Sequence, residues 1–353
     1  MSAFLHLKMS LSEKEISEFR VLLESSEKPF FMFDDDPDGL CSFLLLYRAV
    51  MRGRGLPIKA RPALDESFVR KVVDYSPDRV FVLDKPLVTQ EFIDEVNRDV
   101  VWLDHHPPVK RRKVKYFNPM LNNANDNRPT SYWAYKIVDG DLWVAMTGCV
   151  ADWHIPDFVG EFRKKHPGLL PENIRKPEDA LFKSRIGELA RIFSFVLKGK
   201  TKEVLQSIKV LTRIKSPEEI LDQTTAQGKF IWKRQKRIHD EYREILSGIK
   251  VGEDKIAVHI YKANKMSFTS ELSNEIIYRH PDKIVIIGRE KSGEIKSSIR
   301  SSDVKLPPII EKALKGLNGY GGGHDNACGA CVKKEDFPEF LRRMKKEVKK
   351  ALI

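Results

Sequence analysis

An acid and two imidazoles follow directly on a run of apolar residues. Val100–Leu103 has the composition of a buried strand, Asp104-His105-His106 comes next, and Pro107-Pro108 prevents regular structure from continuing. Carboxylate and imidazole side chains can bind divalent cations or transfer protons. Because a strand end is rigid and adjacent strands deliver side chains to the same edge of a sheet, we expect partners for these groups at other strand ends.

The acids at positions 34–38 form a second group, after the apolar run Pro29–Phe33. Four of these five positions are Asp, and so many carboxylates repel one another unless a positive charge neutralises them. Helix capping is the alternative, with Asp38 as the cap and nearby acids favouring the helix dipole. Capping accounts for one or two acids, whereas Asp34, Asp36 and Asp38 alternate out of a strand. Since Asp36 and Asp38 can reach one cluster of cations, we favour metal binding.

Two further acids stand alone at the ends of predicted elements. Asp84 ends the apolar strand that begins at Arg79, and Asp152 follows the predicted helix Leu142–Ala151. A lone Asp at a strand end is usually a turn or capping residue, and a plain surface acid is the alternative for Asp152. Asp84 lies between the acidic turn and the Asp-His-His stretch in a repeating α/β pattern, which favours metal binding. His154 is interpreted as a structural histidine.

A glycine run near the C-terminus points to anion binding. Gly321, Gly322 and Gly323 allow backbone N–H groups to approach an anion closely and to adopt positive φ. His324 follows them, and together with Arg300 it can contact a phosphate. The alternative for a glycine run is a flexible turn, and the run is predicted to interrupt the regular elements around it.

Two α/β patterns and a helical segment between them must position these groups. Residues 1–157 alternate apolar strands with helices, among them Glu13–Ser25 and Leu40–Met51. Residues 158–250 are charged, helical in pattern and without strand signals, and 251–353 form a second α/β pattern. We therefore predict an α/β fold: a parallel-sheet domain with helices on both faces, a helical connector and a smaller α/β domain.

Two predicted helices bear on function. One opens at Pro129 and runs to Ile137, with Thr130 or Ser131 as its cap. The other, Phe230–Ile249, is long, amphipathic and rich in Lys and Arg. Its charges fit either a solvated helix face or the wall of a nucleic-acid groove, and the sequence leaves both open.

Composition favours a basic protein that binds a polyanion. Among 353 residues there are 62 Lys and Arg, and the net charge is +12. Nucleic acid is the partner that such a charge favours, and a Lys/Glu-rich solvated surface is the alternative. An apolar content of 41%, with no run long enough for a bilayer, fits a soluble protein without a membrane segment.

The N-terminus and the cysteines suggest a cytoplasmic protein. Residues 1–6 lack the charged and apolar regions of a secretory signal. The four cysteines form no disulfide framework, as expected in a reduced compartment. Cys328 and Cys331 have the spacing of a zinc half-site, but there is no second pair, so buried small residues are the preferred interpretation.

Taken together, these motifs resemble the DHH phosphoesterase family with its accompanying DHHA1 domain. The family triplet corresponds to Asp104-His105-His106, its first motif is similar to Asp36-Pro37-Asp38-Gly39, its second to the strand ending at Asp84, and its fourth to Gly148–Asp152. The stretch Gly321–His324 is similar to the hallmark of the DHHA1 domain. The motifs occur in the family order over nearly the whole chain.

The resemblance implies two divalent ions, usually manganese with magnesium possible, and it assigns ligands. The metal ligands would be Asp36, Asp38, Asp84, His105 and Asp152, with Asp84 bridging. The family often has a histidine two positions before the first aspartate; here Asp34 takes that position as a possible oxygen ligand. Two ions can activate a water and stabilise the leaving oxygen of a phosphodiester.

The remaining motif residues would act on the substrate. His106 would face the scissile phosphate, and Asp104 would orient a histidine. Arg300 and His324, with the glycines before His324, would hold substrate phosphates from the second domain.

Three substrate classes occur in the family: single-stranded nucleic acid, short oligonucleotides or nucleotide phosphates, and pyrophosphate. The net charge of +12 and the helical segment favour a polymer, and the chain resembles compact archaeal RecJ-like exonucleases. A helicase or replisome protein would then be a plausible partner. A phosphatase or phosphodiesterase for short substrates is the second hypothesis, and a non-catalytic replication scaffold is the third.

Overall fold

The computed structural model describes residues 10–59, 63–262 and 266–352, so the predicted lack of a leader at residues 1–6 lies outside the described residues. The chain divides into two compact units, Met1–Gln235 and Lys236–Ile353. The domain limits near 157 and 250 remain predictions. Within the described residues, the helices are too short or too polar to cross a lipid bilayer.

The first unit alternates strands and helices, followed by helices alone. Its strands are β1 (Phe30–Asp34), β2 (Arg54–Ile58), β3 (Ala63–Leu64), β4 (Arg79–Leu83), β5 (Leu87–Val88), β6 (Asp99–Leu103) and β7 (Lys115–Phe117). Its helices are α1 (Glu13–Glu24), α2 (Pro37–Val50), α3 (Val69–Tyr75), α4 (Gln90–Val96), α5 (Thr130–Val138), α6 (Leu142–Ala151), α7 (Val159–Lys165), α8 (Pro177–Lys183), α9 (Arg185–Val196), α10 (Thr201–Leu211), α11 (Pro217–Leu221) and α12 (Ala226–Ser247), which continues past Gln235.

Five strands form a parallel sheet in the order β2-β1-β4-β6-β7, and β3 pairs with β5 separately. Side chains alternate between the two faces of this sheet. Phe31 and Phe33 pack in one buried cluster with α1, α2, α5 and α6. Phe30 and Met32 pack in another with α3 and α4. The predicted parallel sheet with helices on both faces is therefore confirmed.

The second unit is built around a mixed sheet. Its strands are β8 (Ile256–Lys262), β9 (Ile284–Lys291), β10 (Glu294–Ser301), β11 (Gly319–His324) and β12 (Ala327–Lys333), and its helices are α13 (Thr269–Arg279), α14 (Pro307–Leu314) and α15 (Phe337–Ala351). The strand order is β11-β12-β10-β9-β8, and only β8 and β9 run parallel. The apolar faces of α14 and α15 pack in one cluster with β9, β10 and β12.

One prediction about the second unit is wrong. The glycine run does not interrupt regular structure, because it forms the exposed edge strand β11, paired antiparallel with β12. Of its three central glycines, only Gly323 has a positive φ, at 144°. Cys328 and Cys331 are both buried on β12, as their preferred interpretation requires.

Candidate metal centre

The register of the parallel sheet brings three acids to one edge. Phe33 of β1 pairs with Leu83 of β4, and Leu83 pairs with Leu103 of β6. Asp34 ends β1, whereas Asp84 and Asp104 are the residues directly after β4 and β6. The Asp84 N–H donates to the Leu103 carbonyl at 2.9 Å, so the backbone pairing continues past the strand. Acids far apart in sequence are neighbours because carboxyl ends of parallel strands share an edge.

Asp84 is almost completely buried at this edge. Asp84 is 2% exposed, and its φ of 59° turns the chain sharply out of the strand. Thr130 donates its hydroxyl to Asp84 Oδ1 at 2.9 Å, and His105 Nε2 lies 3.4 Å from the same oxygen. A buried carboxylate with these partners among the described residues has capacity for a further cation.

The acidic turn combines capping with site formation. Asp36 is the N-cap of α2, and its Oδ1 accepts from the Gly39 N–H at 2.9 Å. Capping therefore occurs, but at Asp36 and not at Asp38 as that alternative had it, because α2 begins at Pro37 rather than at the predicted Leu40. Asp38 lies in the first turn of α2 and is buried.

Asp38 is held by the N-terminus of α5. Its two carboxylate oxygens accept from the backbone N–H groups of Thr130 and Ser131, at 2.8 and 2.9 Å. The predicted capping of α5 by the Thr130 or Ser131 side chain is wrong, because the N-cap position is Pro129 and no side chain caps the helix. An acid from another helix takes the place of a cap, which matches the positive end of the helix dipole.

His105 connects the ligand atoms of two groups. Its Nδ1 lies 2.9 Å from the Asn127 carbonyl, and its Nε2 lies 3.4 Å from Asp84 Oδ1 and 3.8 Å from Asp152 Oδ2. Ligand atoms of Asp38, His105 and Asp152 lie within 4.8 Å of one another, as do those of Asp84, His105 and His106. Two atoms that each lie about 2.1 Å from one ion are at most about 4.2 Å apart, so these spacings are close to those of a coordination shell.

Asp104 holds His106. Asp104 is fully buried, and its Oδ1 lies 2.8 Å from His106 Nδ1. The Tyr116 hydroxyl and the Asn118 amide donate to Asp104 Oδ2 at 3.3 and 3.4 Å. A carboxylate accepts hydrogen bonds, so this contact places the proton on Nδ1 and leaves Nε2 of His106 as the basic nitrogen.

The carboxylates oppose one another electrostatically. Burial and repulsion by Asp38 and Asp36 raise the pKa of Asp84 well above its ordinary value. Desolvation and repulsion by Asp34 and Asp38 raise the pKa of Asp36 in the same direction. The Asp36 residue is open to solvent, so repulsion is the stronger argument there. A divalent cation would remove this conflict.

The pKa values of His105 and Asp152 shift as expected for two groups that share a charge. Burial disfavours the imidazolium, but Asp152, Asp38 and Asp104 outweigh it and raise the pKa of His105 to about 9. Desolvation raises the pKa of Asp152 to about 6, although His105 opposes that shift and 40% of the side chain is exposed. In the metal-free protein, a proton on His105 therefore supplies part of the missing positive charge.

The donor set fits manganese or magnesium. Carboxylate oxygens with imidazole nitrogens and no thiolate are ligands that suit hard divalent cations better than a structural zinc site. Asp38, Asp84, His105, His106 and Asp152 fall in the two ligand groups, whereas Asp34 and Asp36 are in neither. Asp34 instead pairs with Lys85, whose Nζ lies 2.7 Å from Asp34 Oδ1.

The predicted phosphate contacts lie in the second unit. Arg300 of β10 and His324 of β11 both pair with Ala327 on the strand between them, so they occupy one rung of the sheet. Side chains on one rung point to the same face. The Arg300 guanidinium donates to Asn274 Oδ1 at 2.7 Å and to the Ser270 hydroxyl at 3.1 Å. Gly321, Gly322 and Gly323 lie on the same edge strand.

Sequence reasoning missed Lys85 and the roles of Thr130, Tyr116 and Asn118. Lys85 directly follows Asp84, a candidate ligand, but its contact with Asp34 spans 51 positions and no local pattern indicates it. The contacts of Thr130 with Asp38 and Asp84 span 92 and 46 positions, and no local pattern indicates them.

One protein-family profile and several solved structures match the chain. Residues 254–350 match the DHHA1 domain. No curated protein has a matching sequence. RecJ from Thermus thermophilus in complex with Mn²⁺ superposes with a TM-score of 0.67 at 16% identity, covering 95% of this chain and 55% of that one. This chain therefore spans little more than half of that RecJ.

Two other structures match over most of their own length. An exonuclease RecJ bound to manganese has a TM-score of 0.61 at 15% identity, covering 96% of this chain and 95% of that one. The DHH domain of a protein assigned to a family of ribosomal proteins has a TM-score of 0.67 at 14% identity, covering 95% of this chain and 89% of that one. At these identities the matches show a shared fold.

Proposed function

We propose that the chain is a metal-dependent phosphodiesterase that digests single-stranded nucleic acid from an end. Its residues 254–350 match the DHHA1 domain, and it has the DHH/DHHA1 fold of the RecJ structures. The observation that carries this proposal is the meeting of Asp38, Asp84, His105 and Asp152 at one sheet edge. Few structural roles explain mutually repelling acids gathered around a histidine.

We assign the metal ligands as Asp36, Asp38, Asp84, His105 and Asp152. Two Mn²⁺ ions, or Mg²⁺ ions, would supply an activated water and stabilise charge on the phosphate. Thr130 and the N-terminus of α5 fix the carboxylates of Asp84 and Asp38 before an ion binds. Such preorganisation lowers the reorganisation needed at the reaction step.

His106 has a separate role in this proposal. Asp104 accepts from Nδ1 and fixes the ring, so that, once Nε2 has taken up a proton from water, its N–H would contact the scissile phosphate or give that proton to the leaving oxygen. A ring nitrogen of His106 also lies within the ligand group of Asp84, so a role as a metal ligand is the alternative that mutagenesis must separate.

A single-stranded polymer is the substrate that the charge favours. The net charge of +12 attracts a phosphate backbone. Arg300 and His324 share a face of the second sheet, and with Gly321, Gly322 and Gly323 they would hold substrate phosphates. The four buried free thiols support action in the reducing cytoplasm. A helicase or replisome protein is the proposed class of partner.

The test is a time course on end-labelled oligomers. DNA and RNA strands of several lengths, labelled at the 5′ or the 3′ end, are incubated with Mn²⁺, with Mg²⁺ or with EDTA. We expect stepwise shortening of single strands with Mn²⁺ and none with EDTA. The variants Asp38→Asn and His105→Ala should lose activity by at least about a thousandfold, because each removes a ligand.

His154→Ala is the matched control for His105→Ala. His154 lies near the site but outside both ligand groups, its ring contacts Tyr132 edge-on, and burial lowers its pKa. The His154→Ala variant should keep most of the wild-type activity. Digestion that survives Asp38→Asn and His105→Ala would rule out the proposed centre. Much faster hydrolysis of two- to five-nucleotide fragments than of long strands would instead make the chain an enzyme for short substrates.

A further inference from the structure

Lys85 is a buried lysine at the edge of the acid cluster. It directly follows Asp84, its side chain is 1% exposed, and its Nζ lies 2.7 Å from Asp34 Oδ1. The Trp102 indole donates to the Lys85 carbonyl at 3.0 Å, so the backbone is fixed as well. The position of the ammonium group is therefore fixed by the ion pair and by the backbone hydrogen bond.

Burial of an ammonium group is unfavourable without negative partners. An isolated buried charge is unfavourable, and the usual outcome is loss of the charge or pairing with an acid. Here Lys85 lies just past the end of β4, and acids lie at the ends of the neighbouring strands. Asp34, at the end of β1, makes the direct ion pair. The ammonium supplies a fixed positive charge inside a cluster whose other members repel one another.

Asp34 is occupied by this pair and lies apart from the ligand groups. Among the described residues, the two groups of ligand atoms draw on Asp38, Asp84, His105, His106 and Asp152 and leave Asp34 out. Asp34 is still close enough for its charge to act on Asp36 and Asp84.

We propose that Lys85 is a positioning residue that withdraws Asp34 from the metal ligands and, as a fixed internal cation, limits how tightly the centre binds divalent ions. This inference rests on the proposed metal centre and specifies its charge. Weaker binding would let the ions exchange, and the pair would keep the acid cluster stable before an ion arrives.

The ion pair makes opposite predictions for its two members. In Lys85→Met the stem is replaced by an apolar side chain of similar length, and Asp34 keeps an unpaired negative charge. Mn²⁺ should then bind at least about tenfold more tightly, or in one additional equivalent. In Asp34→Asn the Lys85 ammonium loses the Asp34 carboxylate and acts on the ligand carboxylates alone, so Mn²⁺ should bind at least about tenfold more weakly. The double variant should return to within about threefold of the wild type, because the charges cancel.

The experiment is isothermal titration of the metal-free full chains with Mn²⁺, together with their thermal unfolding in EDTA. Lys136→Met is the control, because Lys136 also pairs with an acid, Asp157 at 3.2 Å, but that acid lies outside the ligand groups. It should leave Mn²⁺ binding unchanged. In EDTA, the unfolding temperature of the double variant should be higher than the value expected from adding the shifts of the two single variants.

Each outcome decides for or against the inference. Equal Mn²⁺ affinity and stoichiometry for the wild type and Lys85→Met would overturn it. If Lys85→Met does not fold, the Asp34→Asn titration decides: weaker binding supports the inference and unchanged binding refutes it. Absence of Mn²⁺ binding by the wild type would count against the proposed function, and binding by Lys85→Met alone would then still support the role of Lys85.

Discussion

His105 lies between two acids of the site, since its Nε2 faces Asp84 and Asp152 while its Nδ1 faces the Asn127 carbonyl. The surrounding carboxylates raise its pKa from 6.5 to about 9. A raised pKa stabilises the metal-free fold below pH 6.5, and this contribution is lost as the pH rises through 9. A cation that binds Nε2 must displace the proton.

Metal binding should therefore release a proton and strengthen as the pH rises. Between about pH 6.5 and 9 we expect the Mn²⁺ affinity to increase by up to about tenfold per pH unit. Asp152, with a pKa of about 6, adds to this dependence only below neutrality. Calorimetry at about pH 7.5 in buffers of different ionisation enthalpy counts the released protons. A count of zero would show that His105 keeps its proton and is not a ligand.

Asp104 should affect catalysis more than metal binding. In Asp104→Asn the amide can no longer hold the His106 ring in the same way, so we expect kcat to fall about 10–100-fold while Mn²⁺ affinity changes little. Steady-state kinetics and Mn²⁺ titration separate the two. Tyr116→Phe removes the 3.3 Å hydrogen bond to Asp104 and the 2.8 Å hydrogen bond that the Tyr116 hydroxyl accepts from the Asn118 amide, and it should cost less than about threefold because Asp104 still holds His106. An equal loss of metal affinity in Asp104→Asn would make His106 a ligand instead.

At the level of elements, the packing of three helices places the ligands. A Cβ on Gly148 of α6 would overlap Ser131 Oγ on α5 and would lie 2.9 Å from Cys41 Cβ on α2. These helices carry Asp152, the N–H groups that bind Asp38, and Asp38 itself. The glycine thus allows the approach on which the site geometry depends.

Gly148→Ala should damage both stability and metal binding. Overpacking here should lower the free energy of unfolding by about 1–3 kcal/mol and weaken Mn²⁺ binding, because the helices must separate. Gly160→Ala is the control: a Cβ there meets nothing within 4 Å, and alanine in helix α7 should stabilise by about 0.5–1 kcal/mol. Chemical unfolding and Mn²⁺ titration measure both effects. Equal behaviour of the two variants would show that the close approach at Gly148 is unimportant.

The sequence predicts most elements of this chain because their signals are local. The apolar runs before Asp84 and Asp104 are β4 and β6, and Leu142–Ala151 is α6 as predicted. Glycine has low strand propensity, so β11 was predicted as an interruption; pairing with β12 overrides that propensity. The pair of Lys85 with Asp34 spans 51 positions and depends on the sheet register, which local patterns do not specify.

At the scale of the whole molecule, the excess of positive charge should govern substrate binding. With a net charge of +12, binding to a single strand releases counterions from each neutralised phosphate. Affinity for a labelled single-stranded oligomer in EDTA should fall at least about tenfold between roughly 50 and 200 mM salt, which corresponds to roughly two to three phosphate contacts or more. Fluorescence anisotropy measures it. Salt-independent binding would point away from a nucleic-acid polymer.

The central claim is that acids and a histidine from separate strands and helices bind divalent cations at one sheet edge. The most direct measurement is anomalous diffraction from crystals of the full chain grown with Mn²⁺. We expect manganese peaks within about 2.5 Å of carboxylate oxygens of Asp38, Asp84 and Asp152 and of His105 Nε2, with Asp34 still paired to Lys85. Crystals that contain manganese only elsewhere, or none at this edge at saturating concentration, would contradict the account.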